Sequence, residues 1–187
     1  MSNSYLDTII TRIGNASREA EQAFGGLSAR QLNWKPSEKQ WSAGQCLEHL
    51  IVSNRTYFPQ LEAVANGARK AAFWEQVPFF PGFWGSMLLR SITPVPKQKM
   101  KAPDVFRPAQ SQVGPDIVHQ FTAHNQELIR HLRNLGNLDL KRTIITSPAA
   151  SFITYSLHDA VTILANHEER HLLQARRVTE QEGFPGS

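Results

Sequence analysis

Apolar positions recur at intervals of three and four residues in four separate stretches of this chain, the pattern of helices that bury one face. The first stretch covers residues 4–24, where Leu6, Ile9, Ile10, Ile13, Ala16, Ala20, Ala23 and Phe24 share a stripe, and Gly25-Gly26 ends it. The second runs from about Ala43 to Asn66. Ser42 and Gln45 have the spacing of a capping box at its start. Its inward stripe includes Cys46, His49, Leu50, Ser53, Tyr57, Leu61 and Val64, and Pro59 is expected to kink it or divide it in two. The third opens near Pro115-Asp116 and continues to Leu135, before Gly136, with Ile117, Phe121, His124, Leu128, His131, Leu132 and Leu135 on one line and His119 off it. The fourth spans Ser156 to Val178, with Leu157, Val161, Leu164, His167, His171, Ala175 and Val178 near one stripe. Ser156 and Asp159 resemble a capping box there, and Arg176 and Arg177 suit the negative end of the helix dipole.

The connections differ in kind. Residues 27–42 are polar, with Leu27, Leu32, Trp34 and Trp41 as apolar anchors. Residues 67–114 break the helical pattern with Pro78, Pro81, Pro94, Pro96, Pro103 and Pro108, and carry the aromatic run Phe73, Trp74, Phe79, Phe80, Phe83 and Trp84. So long a connection is a crossover or serves function. A short helix is expected over Gly85 to Ile92, and the aromatic cluster fits a flap over the core or a dimer contact better than a substrate cage. Residues 137–155 hold short β-branched runs of extended character and a turn near Pro148. Four long amphipathic helices predict an all-α four-helix bundle in a single domain, 1–187, and the long crossover between helices 2 and 3 allows those two to run parallel.

Composition narrows the function classes. The chain has 187 residues, 41% of them apolar, and a formal net charge of +4. The basic residues are scattered. Their densest group, Lys97, Lys99 and Lys101, lies among prolines with few aromatics to stack bases, so nucleic-acid binding is not expected. Cys46 is the single cysteine, which excludes an internal disulfide. The N-terminus lacks a signal-peptide core and the chain lacks a run of about 18 apolar residues, so no membrane span and a cytoplasmic location are expected.

The candidate chemistry sits on the fourth helix. His167 and His171 are four residues apart, one above the other on a single face, where two imidazoles can hold one divalent ion. The same pair is equally compatible with packed core histidines. His49 faces inward on the second helix and His124 on the third, and each alone reads as an ordinary core or boundary histidine. His158 falls half a turn out of phase with the pair. If helices 2 and 4 are neighbours, His49 joins His167 and His171, and three neutral imidazoles make an open, catalytic type of site. His167-Glu168-Glu169-Arg170-His171 also satisfies the zinc-protease pattern, in which Glu168 would be a general base. That class takes a third ligand downstream, and the 16 residues after His171 contain no histidine. Glu168 is otherwise a solvated residue or a partner from outside the ligand shell, or a base toward a metal-bound water. Cys46, one turn before His49, is either packed or a fourth ligand or nucleophile. Glu48 is expected to be exposed.

The order LSARQLNWKPSEKQWSAGQCLEHL, a long crossover, then LHDAVTILANHEERHLLQARRV resembles the DinB-like superfamily of metal-binding bundles, which includes the YfiT-like proteins. The matching features are Trp41-Ser42 at the entry to helix 2, His49 seven residues after that serine, and His167, His171 and Gln174. The resemblance implies an up-down-down-up bundle, a metal, zinc or nickel, on His49, His167 and His171, and often a homodimer. Some members of the family are transferases that add a low-molecular-weight thiol, bacillithiol or mycothiol, to electrophilic small molecules. The expectation is therefore a metal-dependent thiol transferase. The alternatives are a metal-dependent hydrolase using metal-bound hydroxide and a non-catalytic, metal-stabilised stress or binding protein.

Overall fold

The computed structural model describes residues 4–68, 73–76, 80–91 and 112–186, without the side chains of 74, 76, 80 and 91. Lys97, Lys99, Lys101 and Phe79 lie outside the described residues. Helix α1, Ser4–Phe24, buries Leu6, Ile9, Ile13, Ala16, Ala20 and Phe24. Helix α2, Ala29–Asn33, interrupts the connection expected to be merely polar. It is held by a capping box in which Ser28 Oγ accepts from Gln31 N at 3.3 Å and Ser28 N donates to Gln31 Oε1 at 2.9 Å. The same box opens α3, Ala43–Arg55, between Ser42 and Gln45.

Pro59 divides the second long helix. Helix α3 ends at Arg55, a turn follows, and α4, Phe58–Ala65, starts with the proline in its first turn, where no intrahelical N–H is required. A 3-10 turn covers Phe73–Gln76 and α5 covers Phe80–Ser91, so this helix begins five residues ahead of the expected Gly85, with Pro81 in its first turn. Helices α6, Ile117–Arg133, and α7, Leu157–Thr179, complete the helical set. Ser156 Oγ accepts from Asp159 N at 3.0 Å and starts α7 cleanly at Leu157.

The fold is consistent with the all-α expectation and adds one hairpin, in the stretch 137–155 expected to be extended. Strands β1, Ile144–Ser147, and β2, Ala150–Ser156, pair antiparallel, with Ile145 opposite Tyr155 and Thr146 opposite Thr154. β-Branched and aromatic side chains favour this pleated surface. The hairpin buries Ile145 and Tyr155, and the Tyr155 hydroxyl meets that of Tyr57 at 2.9 Å. The protein is thus mostly helical, with a small two-stranded sheet between α6 and α7.

Helix α1 packs against α6 and α7, and α3 packs against the same two. The apolar core between them falls into two clusters. One joins Ile9, Ile13, Leu61, Leu128, Leu132, Tyr155, Val161 and Leu164. The other joins Ala20, Phe24, Leu47, Leu50, Phe121, Leu172 and Ala175. Buried polar residues separate them. Asn54 lies between Ile51 and Tyr57, His124 and Asn125 between Phe121 and Leu128, and Glu168 between Ala165 and Leu172. A polar layer therefore crosses the middle of the core at the level of the candidate site.

Candidate metal centre

His49 lies in the second turn of α3, and His167 and His171 lie one turn apart in the middle of α7. The packing of α3 on α7 brings them together. His49 Nε2 is 3.1 Å from His167 Nε2, and one ring nitrogen from each of the three residues lies within 4.8 Å of the others. Among the described residues, this is the only group of three or more His, Cys, Asp or Glu side chains that converges in this way. Ser53, one turn beyond His49, places its Oγ 3.3 Å from His49 Nδ1 and fixes that ring. Trp41 covers one side of the group, with its ring centroid 4.7 Å from that of His49 and 5.8 Å from that of His171. His49 and His171 are buried, and His167 is half-buried.

Electrostatics favours the ligand form of these rings. Burial holds His167 well below the usual histidine range, and the neighbouring His49 and Arg170 add to the effect. Burial does the same for His171, reinforced by His167, His49 and Arg170 and opposed by a hydrogen bond with Gln174. Neutral imidazole is the form that binds metal. The 3.1 Å between His49 Nε2 and His167 Nε2 is also close to what one ion would require. Zinc–nitrogen bonds of about 2.0–2.1 Å in a tetrahedral site put ligand nitrogens about 3.4 Å apart. His171 Nδ1 is moreover buried without a hydrogen-bond partner in the chain, a buried polar atom that a bound ligand could satisfy. The three histidines can therefore hold a divalent ion, and the third donor comes from 118 residues upstream of His167, not from downstream as in the protease pattern.

The other candidates fall elsewhere. Cys46 is fully buried in the second apolar cluster and absent from the group, and burial pushes its thiol up to about 12. It is packed, not poised. Glu48 is half-buried instead of exposed. His158 stacks on Tyr5, with ring centroids 4.1 Å apart. His124 is buried against Phe58, with ring centroids 5.1 Å apart. Glu168 is fully buried, and its two carboxylate oxygens accept from Asn54 Nδ2 at 2.9 Å and Asn125 Nδ2 at 3.1 Å. It is not part of the histidine group. Desolvation raises its pKa to about 8, against the two amide bonds that lower it. The contact of Trp41 with two of the rings escaped the sequence, where Trp41 registers as an apolar anchor and, with Ser42, as a family feature at the entry to helix 2.

Residues 13–175 match the DinB superfamily. The chain is 25% identical over 168 residues to the uncharacterized protein YuaE of Bacillus subtilis (strain 168), covering 89% of this chain and 94% of that one. No solved structure matches the chain. With its family match spanning both halves of the histidine site, this chain belongs to the DinB superfamily.

Proposed function

We propose that this protein binds one divalent metal ion, zinc or nickel, on His49, His167 and His171. We further propose that it is a metal-dependent transferase that joins a low-molecular-weight thiol of the bacillithiol type to an electrophilic small molecule. The convergence of three imidazoles, two of them held neutral by burial, carries the metal reading. The thiol reading rests on the family resemblance and on a donor set that leaves coordination positions open. A divalent ion held by neutral nitrogens supplies Lewis acidity that lowers the pKa of a thiol or water brought to it. The chain itself fixes the His49 ring through Ser53 and shields His49 and His171 with Trp41.

An up-down-down-up order and a homodimer belong to the same reading. The order is supported by the two apolar clusters: α1 and α7 run from the first to the second, whereas α3–α4 and α6 run from the second to the first. Among the described residues no helix is long and apolar enough to cross a membrane.

The test is elemental analysis of the untagged protein beside His49→Ala and His167→Ala, followed by thiol-consumption assays with electrophiles. About one zinc or nickel per chain, lost in both variants, is expected. Metal-dependent turnover without thiol would identify a hydrolase instead, and bound metal without turnover a metal-stabilised binding protein. Absence of metal after reconstitution would overturn the reading.

A further inference from the structure

The polar layer at the level of the histidines raises a question of design. Glu168, Asn54 and Asn125 are each 0% exposed. Both Glu168 oxygens accept amide protons, from Asn54 on α3 and Asn125 on α6, and Asn125 Nδ2 also donates to Ser17 Oγ on α1 at 3.1 Å. Side chains of α3, α6 and α7 thus meet inside the core, and half-buried Ser17 of α1 joins them at its edge. An apolar set of similar volume is often as stable as such a group or more so, and the best-attested use of buried polar contacts is to select one register.

The register at stake is that of α7 against α3. These two helices supply the three candidate ligands. Glu168 directly follows His167, and Asn54 directly follows Ser53, which holds His49. A helix side chain extends about 5–6 Å from the axis, so a rotation of α7 by about 20° moves its tip by about 2 Å. That displacement is as long as a metal–nitrogen bond of about 2 Å. Apolar neighbours tolerate such a slip, whereas a carboxyl group gripped at both oxygens does not.

We infer that Glu168, clamped by Asn54 and Asn125, sets the angular position of α7 and so aims His167 and His171 at His49. Glu168 is a positioning residue of the metal centre. This inference rests on the proposed metal reading. Its test uses Co²⁺ as the probe, with dissociation constants and d–d absorption spectra measured for the wild-type protein, Glu168→Leu, Asn54→Leu and Glu168→Gln. Thermal melts of the metal-free forms accompany them.

Both leucine variants remove the clamp but leave every ligand in place. Each is expected to lose about 10–100-fold in Co²⁺ affinity, with an altered d–d band. Glu168→Gln is expected to retain both, because its amide can donate to Asn54 Oδ1 or Asn125 Oδ1, which are buried without partners. A purely structural role would shift the melts and leave affinity and spectrum unchanged in the folded variants. Folded leucine variants that bind like the wild type would overturn the inference alone, as would a Glu168→Gln variant as impaired as they are. Wild-type protein that binds no Co²⁺ would overturn the metal reading and this inference with it. Should neither leucine variant fold, Asn54→Ser shortens one arm of the clamp and is held to the same outcomes.

Discussion

His124 gives a sharp test of the electrostatics of the core. It is 3% exposed, its ring is stacked on Phe58, and neither ring nitrogen has a hydrogen-bond partner. Burial, then Arg55 and His131, lower its pKa to about 4. In the unfolded chain it titrates near its ordinary value of about 6.5. Between those values the unfolded form binds more protons, so stability is full above about pH 6.5 and falls as pH drops toward 4. The gap from about 6.5 to about 4, at about 1.36 kcal/mol per pH unit, gives about 3 kcal/mol in full and about 2 kcal/mol by pH 5. His124→Leu keeps a buried side chain without a titrating group. It also removes two unpartnered polar atoms, which is worth about 1 kcal/mol or more at any pH. The assay is urea unfolding of metal-free wild type and variant at pH 7.5 and 5.0. His167 and His171 titrate in both proteins, so the difference between the two isolates His124. The variant's advantage is expected to grow by about 2 kcal/mol between the two pH values. An advantage that stays constant across that range would refute a buried, neutral His124.

Two further outcomes follow from packing. Cys46, fully buried and with its thiol pushed up to about 12, is expected to resist a thiol reagent at pH 8 in the native protein and to react fully in guanidinium chloride; rapid labelling of the folded chain would contradict its place in the core. Gly44 sits where an added Cβ would collide with Val113 Cγ2 and lie 3.0 Å from the Leu32 carbonyl oxygen. Gly44→Ala should therefore cost roughly 1–3 kcal/mol and lower Tm by roughly 2–10 °C, and an unchanged melt would show that α3 can retreat at its first turn.

Much of this architecture is legible in the residues. The capping box at Ser42, the break at Pro59, the stripe on α7 and the His167–His171 pair depend on spacing along one element, which sequence displays directly. The small helix α2 carries the same Ser-x-x-Gln signal at Ser28 and Gln31 and was open to the same inference. Glu168 shows where local inference fails. It stands four residues after Leu164 and four before Leu172, an inward position, yet a carboxylate there reads as solvated because its compensating amides lie 114 residues upstream at Asn54 and 43 residues upstream at Asn125. The hairpin is similar. The β-branched runs announce extended backbone, but the burial of Tyr155 depends on Tyr57 across the core.

The division of the ligands between α3 and α7 has a consequence for how this chain can change. The crossover of residues 67–114 lies wholly inside the loop bounded by His49 and His167. Doubling the length of a flexible loop adds only about 0.6 kcal/mol to the entropy of closing it. Added length in that segment therefore costs little toward bringing the histidines together, provided α5 keeps its packing on β2 and α7 and Val113 its place in the core. The three histidines can thus stay where α3 and α7 meet while the length of chain between them varies.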